Sequence, residues 1–259
     1  MSFNIWRSGG RSLERTISVL RSAAPDVVGL QECDRDTARV IAAQLEMDSA
    51  VDDDGNVILS RHPIARVIGR TRHPWGGLGV TVALSPERRV HVFDAHLHWA
   101  SYGPYLLQEG RPAPFVLARE RAYRMPGLHE LLAIMDGALT SGEPTFLVGD
   151  FNAPSHLDYP DALAWPESVA CHARGLSDSY RVLHPERRRY DPRTPFAFDE
   201  PGITWSPLTG EEPRGVFDRI DFVYFAAAKP QEAVELDALN SVEPWPSDHR
   251  AVLGTFALA

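Results

Sequence analysis

Short apolar runs of strand length recur along almost the whole chain, and they constrain the fold more than any other feature. The runs are VVGLQ, NVILS, VTVAL, RVHVFDAHL, TFLVG, RIDFVYF and AVLGTFAL. Short runs rich in β-branched and aromatic residues, bounded by turn residues, are typical of buried β-strands. Strands therefore outnumber helices, and we predict an α/β fold in which the two types interleave.

Three segments carry apolar residues at helical spacing. Residues 11–23 form the first, a stretch after Asp36 carries the second, and residues 127–139 form the third. We expect the third helix to bury four side chains, Leu128, Leu131, Leu132 and Met135. Helices and strands thus alternate along the sequence.

Turn residues separate these elements. The segment DDDG at residues 52–55 predicts a turn into the strand NVILS, in a hairpin-like arrangement. Residues 99–114 and 180–202 are dense in proline, and we predict that both are long loops. Because no low-complexity tract or repeat divides the chain, we expect a single domain over residues 1–259.

The composition favours a soluble globular protein with a large core, since 44% of its 259 residues are hydrophobic. No stretch approaches the roughly 18 apolar residues of a membrane helix, and the N-terminal residues lack the layout of a secretory signal. Cys33 and Cys171 are too few for a disulfide framework. We expect a cytoplasmic protein with two buried free thiols and no membrane span.

The formal net charge of −9 argues against broad, sequence-independent binding to a polyanion, because phosphate contacts normally depend on Lys or Arg. One arginine cluster, Arg187 to Arg189 with Arg193, could read phosphate locally. We favour the interpretation that this cluster is a solvated loop in an arginine-rich chain.

Polar residues stand where several apolar runs end. Glu32 follows VVGLQ directly, and TFLVG runs into Asp150 and Asn152. Burying a lone carboxylate costs several kcal/mol, so an acid in such a place must be hydrated, paired or bound to metal. Asp150 and Asn152 are two residues apart and would share a face if the chain stayed extended.

A second set of polar residues lies near the C-terminus. Asp221 stands inside RIDFVYF, a strand that is apolar on both faces, and Asp248 and His249 precede the last strand. A carboxylate that binds an imidazole fixes its tautomer and raises its basicity, so Asp221 and His249 would form a general base. His96 lies near the end of a predicted strand and could face a cleft, although a histidine there is by itself more typical of a core position. Asn4 lies in the first short strand and by itself indicates no function.

This set of carboxylates, amides and imidazoles contains no cysteine and no HExxH spacing. Hard oxygen ligands favour Mg²⁺ or Mn²⁺ over Zn²⁺. The chain also lacks GxSxG, and the GGLG at residues 76–79 lacks the lysine of a phosphate-binding loop, so we interpret it as a turn that enters a strand.

The ordered motifs FNIW, GLQECD, VILSRHPI, AHLH, GDFN, GITW, RIDF and SDH cover residues 3 to 249. Taken together, they resemble the endonuclease/exonuclease/phosphatase superfamily, which includes DNase I-like nucleases. The resemblance implies a four-layer α/β sandwich, with two mostly antiparallel sheets packed face to face and helices outside. It also implies an active site at one edge of the sandwich.

The resemblance implies a role for each matched residue. Asn4 and Glu32 would hold the metal, with Asp248 as a further or water-bridged ligand. Asp150 and Asn152 would orient the attacking water and the phosphate. Asp221 would orient His249, which would act as base or as a donor to the phosphoryl group, and His96 would stabilise developing charge. The choice between Asp150 and His249 as the base stays open.

The chain departs from the family pattern at three places, one of which is its short start, since the first predicted strand begins almost at Met1. AHLH offers His96 and His98 where many members have Thr before a single histidine, and we prefer His96. FDRIDF offers Asp218 and Asp221, and we prefer Asp221 because RIDF continues into an apolar strand.

These assignments predict a divalent-metal-dependent phosphoesterase that hydrolyses a small organic phosphate by in-line attack of water. A DNA or RNA nuclease is the alternative, and a non-catalytic protein that binds phosphorylated ligands ranks below both. Five aromatic residues are candidate walls of the substrate site: Trp99, Tyr102, Tyr105, Trp205 and Trp245.

Overall fold

A computed structural model describes residues 1–158, 163–185, 203–205, 218–237 and 244–258. The strands in these ranges are β1 (Ser2–Asn4), β2 (Val27–Gln31), β3 (Asp48–Val51), β4 (Val57–Ser60), β5 (Ile64–Arg70), β6 (Gly77–Ala83), β7 (Arg89–His96), β8 (Thr145–Asp150), β9 (Ser177–Asp178), β10 (Asp221–Ala226), β11 (Lys229–Leu236) and β12 (Ala251–Ala257). The helices are α1 (Trp6–Gly9), α2 (Leu13–Ala23), α3 (Arg35–Leu45), α4 (Gly103–Gln108), α5 (Ala113–Tyr123), α6 (Met125–Ser141), α7 (Pro166–Ala173) and α8 (Ser179–Leu183).

The strands form two six-stranded sheets, in the orders β11-β12-β1-β2-β4-β3 and β5-β6-β7-β8-β10-β9. Within each sheet one central pair is parallel, β1 with β2 and β7 with β8. The other pairs are antiparallel. The expected pair of mostly antiparallel sheets is therefore confirmed.

Apolar clusters hold the sheets and helices together in four layers. Residues of α2 and α3 pack on β1, β2 and β4, while α6 packs on β7, β8 and β10. Between the sheets, Ile58 meets side chains of β6 and β7, and Val252 meets Val148 and Val223. Because β-strand side chains alternate, β7 directs Phe93 to α6 and Val92 to the opposite sheet. The four-layer sandwich follows from this alternation.

The helices predicted from apolar spacing are confirmed as α2, α3 and α6, and the four side chains expected inward on α6 are buried. One boundary was wrong, because α3 begins at Arg35, before Asp36. The residue that caps this helix is Asp34, whose carboxylate accepts a hydrogen bond from Thr37 N at 2.8 Å. The hairpin after residues 52–55 is confirmed by the antiparallel pairing of β3 with β4.

The prediction of a loop over residues 99–114 was wrong, because α4 occupies part of it and α5 begins at its end. The prediction failed because each helix has a proline in its first turn. At that position the missing N–H breaks no hydrogen bond within the helix. In the second predicted loop, α8 holds the first residues. The arginine cluster at Arg187 to Arg193 lies outside the described residues.

Three strand predictions need correction at their ends. The strand β1 stops at Asn4, since Trp6 already opens α1, and β10 starts at Asp221 and does not enclose it. GGLG contributes most of its residues to β6 itself. The strands β5 and β11 were not predicted. In the part of the chain that the structure describes, no helix has the length and apolar character needed to cross a membrane.

Candidate active site

Strand ends bring the polar residues of the motifs to one edge of the sandwich. Asn4 ends β1 and pairs in register with Gln31, so Glu32 follows at the same level. His96 ends β7 opposite Asp150 at the end of β8. Asp221 lies opposite Asp150 as well, because β10 runs antiparallel and begins at this edge. The pairing of strands alone therefore collects residues that are far apart in sequence.

Asp150 lies at the centre of this group and is buried. Its Oδ2 accepts a hydrogen bond from Asn4 Nδ2 at 3.0 Å. The same oxygen lies 3.6 Å from His96 Nε2 and 3.7 Å from His249 Nε2. Asp150 Oδ1 accepts a hydrogen bond from Asn152 N at 2.8 Å. Both sheets thus contribute groups around one carboxylate.

Asn152 reaches Asp150 by a route other than the predicted extended chain. The strand β8 stops at Asp150, and Asn152 has a φ of 48°, so the backbone turns between the two residues. The Asn152 amide then donates to Leu97 O at 3.0 Å and to Asp150 Oδ2 at 3.3 Å. A tight turn, and not strand alternation, holds them together.

A left-handed backbone turn over residues 6–8 positions Glu32 and Asn4. Trp6, Arg7 and Ser8 have φ values of 51°, 49° and 59°, which non-glycine residues rarely adopt. In this turn Trp6 N donates to Asn4 Oδ1 at 3.0 Å, and Arg7 N donates to Glu32 Oε2 at 2.8 Å. The strained backbone of this turn therefore donates hydrogen bonds to two site residues and fixes their side chains.

Asp221 and His249 form a buried pair. His249 Nδ1 lies 2.9 Å from Asp221 Oδ2, so Nε2 is left to face Asp150. Asp221 N and Ile220 N both donate to Thr204 Oγ1 at 3.0 Å, which fixes the backbone that carries this carboxylate. Ser247 donates to Asn4 O at 2.7 Å and ties the His249 segment to β1.

Burial and neighbouring charges set the protonation states of these groups. Burial raises the pKa of Asp150 to about 7, although the charge of His249 opposes the shift. Burial lowers the pKa of His96 to about 4. Burial would also lower the pKa of His249, but Asp221 and Asp150 together raise it well above its ordinary value. At neutral pH His249 is therefore charged and His96 is neutral.

A cleft of about 460 Å³ opens beside this group. Its wall includes Glu32, His96 and Asp248 and also three tryptophans. The full set of lining residues is Trp6, Arg7, Glu32, Asp54, Trp75, His96, Trp99 and Asp248. The volume lies within the range of small-molecule sites, about 300–1,000 Å³.

The donor set fits a hard divalent cation. Glu32 and Asp248 line the cleft, and Asp150, Asp221 and His249 place potential ligand atoms within 4.8 Å of one another. Among the described residues, the buried Asp221 Oδ1 finds no hydrogen-bond donor. Carboxylate oxygens of this kind suit Mg²⁺ or Mn²⁺. Asn4 directs its amide nitrogen, and not its oxygen, towards Glu32 Oε1 at 3.2 Å, so here it orients carboxylates.

His98 and Asp218, the alternatives to His96 and Asp221 in the sequence, lie outside this group. His98 Nδ1 accepts a hydrogen bond from Ala100 N at 3.0 Å, and its ring packs against Trp75 at 5.1 Å. Asp218 is buried and accepts a hydrogen bond from Tyr102 Oη at 2.7 Å. Both residues support the loops around the site.

The five candidate aromatic walls occupy different places. Trp99 lines the cleft. Tyr102, Tyr105 and Trp205 form one ring cluster, and the Trp205 ring lies 6.5 Å from that of His249. Trp245 is half-buried, packs against the core 5.4 Å from Phe3 and does not line the cleft.

Sequence reasoning missed Trp6 and Trp75 in the cleft and Thr204 and Ser247 beneath it. A signal existed for three of them, because Trp6 lies in the FNIW motif, Thr204 in GITW and Ser247 in SDH. The left-handed turn that carries Trp6 cannot be predicted from the spacing of apolar residues.

Comparisons with known proteins identify proteins that are similar to this chain. An uncharacterized protein of Caenorhabditis elegans is 27% identical over 298 residues, covering 99% of this chain and 90% of that protein. The 3′ phosphatase NExo from Neisseria, bound to a product DNA hairpin, superposes with a TM-score of 0.67 at 21% identity, covering 99% of this chain and 98% of that chain. An AP endonuclease from Archaeoglobus fulgidus gives 0.63 at 16% identity, with coverages of 99% and 98%.

The structural likenesses establish the shared fold of these proteins. The sequence model of the endonuclease/exonuclease/phosphatase family matches residues 1–249, which include every residue of the site. This chain therefore belongs to the endonuclease/exonuclease/phosphatase family.

Proposed function

We propose that this protein is a divalent-metal-dependent phosphoesterase that hydrolyses an ester bond of a small organic phosphate by in-line attack of water. One observation carries the proposal: a buried carboxylate, Asp150, lies at hydrogen-bond distance from Asn4 and within 4 Å of two histidines beside an acidic cleft. The three neighbours come from both sheets. Such convergence of buried titratable groups is typical of catalytic sites.

The metal would be Mg²⁺ or Mn²⁺, held by Glu32 with Asp248 beside it and Asn4 orienting the carboxylates. When bound, such an ion neutralises phosphate charge and polarises a phosphoryl oxygen. We expect Asp150 and His249 to contact the attacking water and the phosphoryl group, while Asp221 orients His249.

Asp150 is the group that we assign to accept the proton of the attacking water. With a pKa of about 7 it is partly ionised at neutral pH and can take up a proton there. His249 already carries its proton, which Asp221 stabilises, so it donates a hydrogen bond to a phosphoryl oxygen. The new bond joins the water oxygen to phosphorus, the ester P–O bond breaks, and solvent reprotonates the leaving oxygen.

Two further residues complete the proposed mechanism. His96 is neutral at physiological pH, and as an N–H donor it stabilises charge on the phosphoryl group. Asn152 holds Asp150 in place through its backbone N–H at 2.8 Å. No covalent intermediate on the protein is part of this proposal.

A nuclease acting on DNA or RNA is the alternative, and the activities of NExo and the AP endonuclease favour it. The net charge of −9 favours the small substrate. Hydrolysis of an oligonucleotide by a nuclease should weaken steeply between about 50 and 200 mM salt, because each phosphate contact releases counterions. Hydrolysis of a small phosphate ester should change little over that range.

We also propose that residues 1–259 form one domain, in the cytoplasm. The pairing of β1 with β12 supports one domain, because it joins the two ends of the chain in a single sheet. The two cysteines are both free and buried, as expected of a protein from a reducing compartment.

A screen of phosphodiesters and phosphomonoesters with Mg²⁺ or Mn²⁺ tests the function. The native chain should hydrolyse at least one compound, and Glu32→Ala and Asp150→Ala should each lose at least about a hundredfold in kcat/KM. Asp36→Ala is the matched control, since Asp36 is an exposed acid on α3 outside the cleft. Unchanged activity in both site variants would refute the proposal.

Binding without catalysis would also refute it. If the native chain bound a phosphorylated compound but hydrolysed none of the panel with either metal, the protein would be a phosphate-ligand binding protein of this fold.

A further inference from the structure

Three tryptophans line the cleft, and they differ in how much of each ring is free. The guanidinium groups of Arg7 and Arg11 lie over the Trp6 ring, at 5.1 and 5.6 Å from its centroid. Trp75 meets the His96 ring edge to face at 5.3 Å and so belongs to the site wall. Trp99 is 62% exposed, more than any other large apolar side chain in the described ranges. Trp99 therefore offers the most accessible aromatic surface at the cleft.

The loop that carries Trp99 is tied down on both sides. Ala100 N donates to His98 Nδ1 at 3.0 Å, and Ala100 O accepts from Arg124 Nη2 at 3.3 Å. Ser101 Oγ accepts from Arg119 Nη2 at 2.9 Å. These hydrogen bonds hold the backbone around an exposed indole, so the ring can bind a partner with little loss of loop entropy.

Ring contacts through His98 also connect Trp99 to the site wall. The His98 ring makes tilted contacts with the rings of Trp75 and Trp99, at 5.1 and 6.1 Å, and meets the Tyr123 ring edge to face at 5.2 Å. Single exposed apolar residues are common on protein surfaces and need no explanation by themselves. Trp99, however, is held in place by its neighbours and lines a cleft that also contains Glu32 and Asp248. Its indole therefore places a flat apolar surface beside the proposed phosphate site.

We propose that Trp99 is a stacking platform for a planar heteroaromatic ring carried by the phosphate ester, and that the site takes a single nucleoside phosphate. This inference rests on the proposed function for the position of the phosphoryl group. Every base has a flat π-face, so stacking on an indole tolerates different bases.

The charge of the cleft favours one nucleotide over a longer strand. Its lining contains three carboxylates, Glu32, Asp54 and Asp248, and Arg7 is the cation among the lining residues that the structure describes. A strand that continued through the cleft would need a positive groove along its backbone. The volume of about 460 Å³ suits a ligand of nucleotide size.

Equilibrium binding tests this inference separately from turnover. Adenosine 5′-monophosphate and ribose 5-phosphate share the phosphate and the sugar, and they differ in the base. Calorimetry with Mg²⁺ would compare the two ligands on Asp150→Asn protein, in which turnover is suppressed, with Trp99 intact or changed to Ala or Phe. Phe115→Ala is the matched control, because Phe115 is an exposed aromatic on α5 that does not line the cleft.

With Trp99 intact, we expect the adenosine compound to bind about tenfold more tightly than ribose 5-phosphate. Trp99→Ala should abolish this difference, Trp99→Phe should retain most of it, and Phe115→Ala should leave it unchanged. Equal affinities with Trp99 intact, undetectable binding of the adenosine compound at millimolar concentration, or a difference that survives in Trp99→Ala would each overturn the inference.

Two further readouts separate the possible failures. If the native enzyme hydrolyses no ester while the base-dependent binding holds, the proposed function fails and the stacking site stands. If an oligonucleotide of ten residues binds at least tenfold more tightly than the mononucleotide, the single-nucleotide assignment is wrong.

Discussion

The Asp221 carboxylate lies 2.9 Å from Nδ1 of His249, and both side chains are buried at the edge where β10 begins. This contact fixes which ring nitrogen of His249 faces Asp150. It also stabilises the charged imidazolium, whose pKa is raised well above its ordinary value. The pair thus determines both the orientation and the charge of the proposed donor.

Asp221→Asn should lower kcat by about 10²- to 10⁴-fold, because a neutral amide neither stabilises the imidazolium nor fixes its tautomer. KM should change much less. Steady-state kinetics with Mn²⁺ on the phosphate ester found in the screen measures both quantities, and circular dichroism checks that the variant is folded.

The control for this substitution is a second Asp and His pair. Asp26 lies 3.8 Å from His62 Nε2, and neither residue lines the cleft. Asp26→Asn should therefore leave kcat unchanged. Equal losses in the two variants would mean that Asp221 has no special role.

Much of the fold was predictable because its signals are local. The spacing of Leu13, Ile17 and Leu20 and the apolar run at 27–31 depend only on neighbouring residues, and both elements are confirmed as α2 and β2. The edge strands β5 and β11 escaped prediction because their side chains are mostly exposed or half-buried, so they lack an apolar pattern.

The site was predictable from motif order but not in its detail. The motifs placed Asp150 and Asn152 together, yet the positive φ of Asn152 decides how they meet, and no periodicity encodes it. The walls of the cleft depend on tertiary structure. The ring of His98 contacts both Trp75 and Trp99, and Trp245 packs against Phe3 at the core.

The close approach of the two sheets predicts a contrast between two glycines. A Cβ on Gly29 would lie 2.4 Å from Asp94 Oδ1 and 2.5 Å from Val148 Cγ2, whereas a Cβ on Gly137 would have no atom within 4 Å. Gly29→Ala should therefore lower the free energy of unfolding by about 1–3 kcal/mol. Gly137→Ala, at an exposed position of helix α6, should raise it by about 0.5–1 kcal/mol. Urea unfolding measures both, and equal effects in either direction would contradict the packing described.

The buried carboxyl of Asp94 predicts a pH-dependent stability. Burial raises its pKa well above the ordinary 3.8, so folded Asp94 keeps its proton at pH values where the unfolded chain has lost it. Stability from this group should be greatest below about pH 4 and should fall as pH rises towards the folded pKa, by at most about 1.4 kcal/mol per unit.

Asp94→Asn removes this titration and can still accept the hydrogen bond that Gln31 Nε2 donates at 2.6 Å. The free energy of unfolding of the native chain should therefore fall relative to that of Asp94→Asn between pH 4.5 and 7. Parallel pH profiles for the two proteins would show that Asp94 ionises normally in the folded state.

The most direct test of a metal-assisted phosphoesterase at this edge is the initial rate of hydrolysis of the phosphate ester found in the screen, as a function of Mn²⁺ after complete chelation. We predict that chelation lowers the rate at least about a hundredfold, that Mn²⁺ or Mg²⁺ restores it, and that Glu32→Gln requires at least about tenfold more metal for half-maximal rate. A rate that persists without metal, or an identical metal titration for Glu32→Gln, would contradict the assignment.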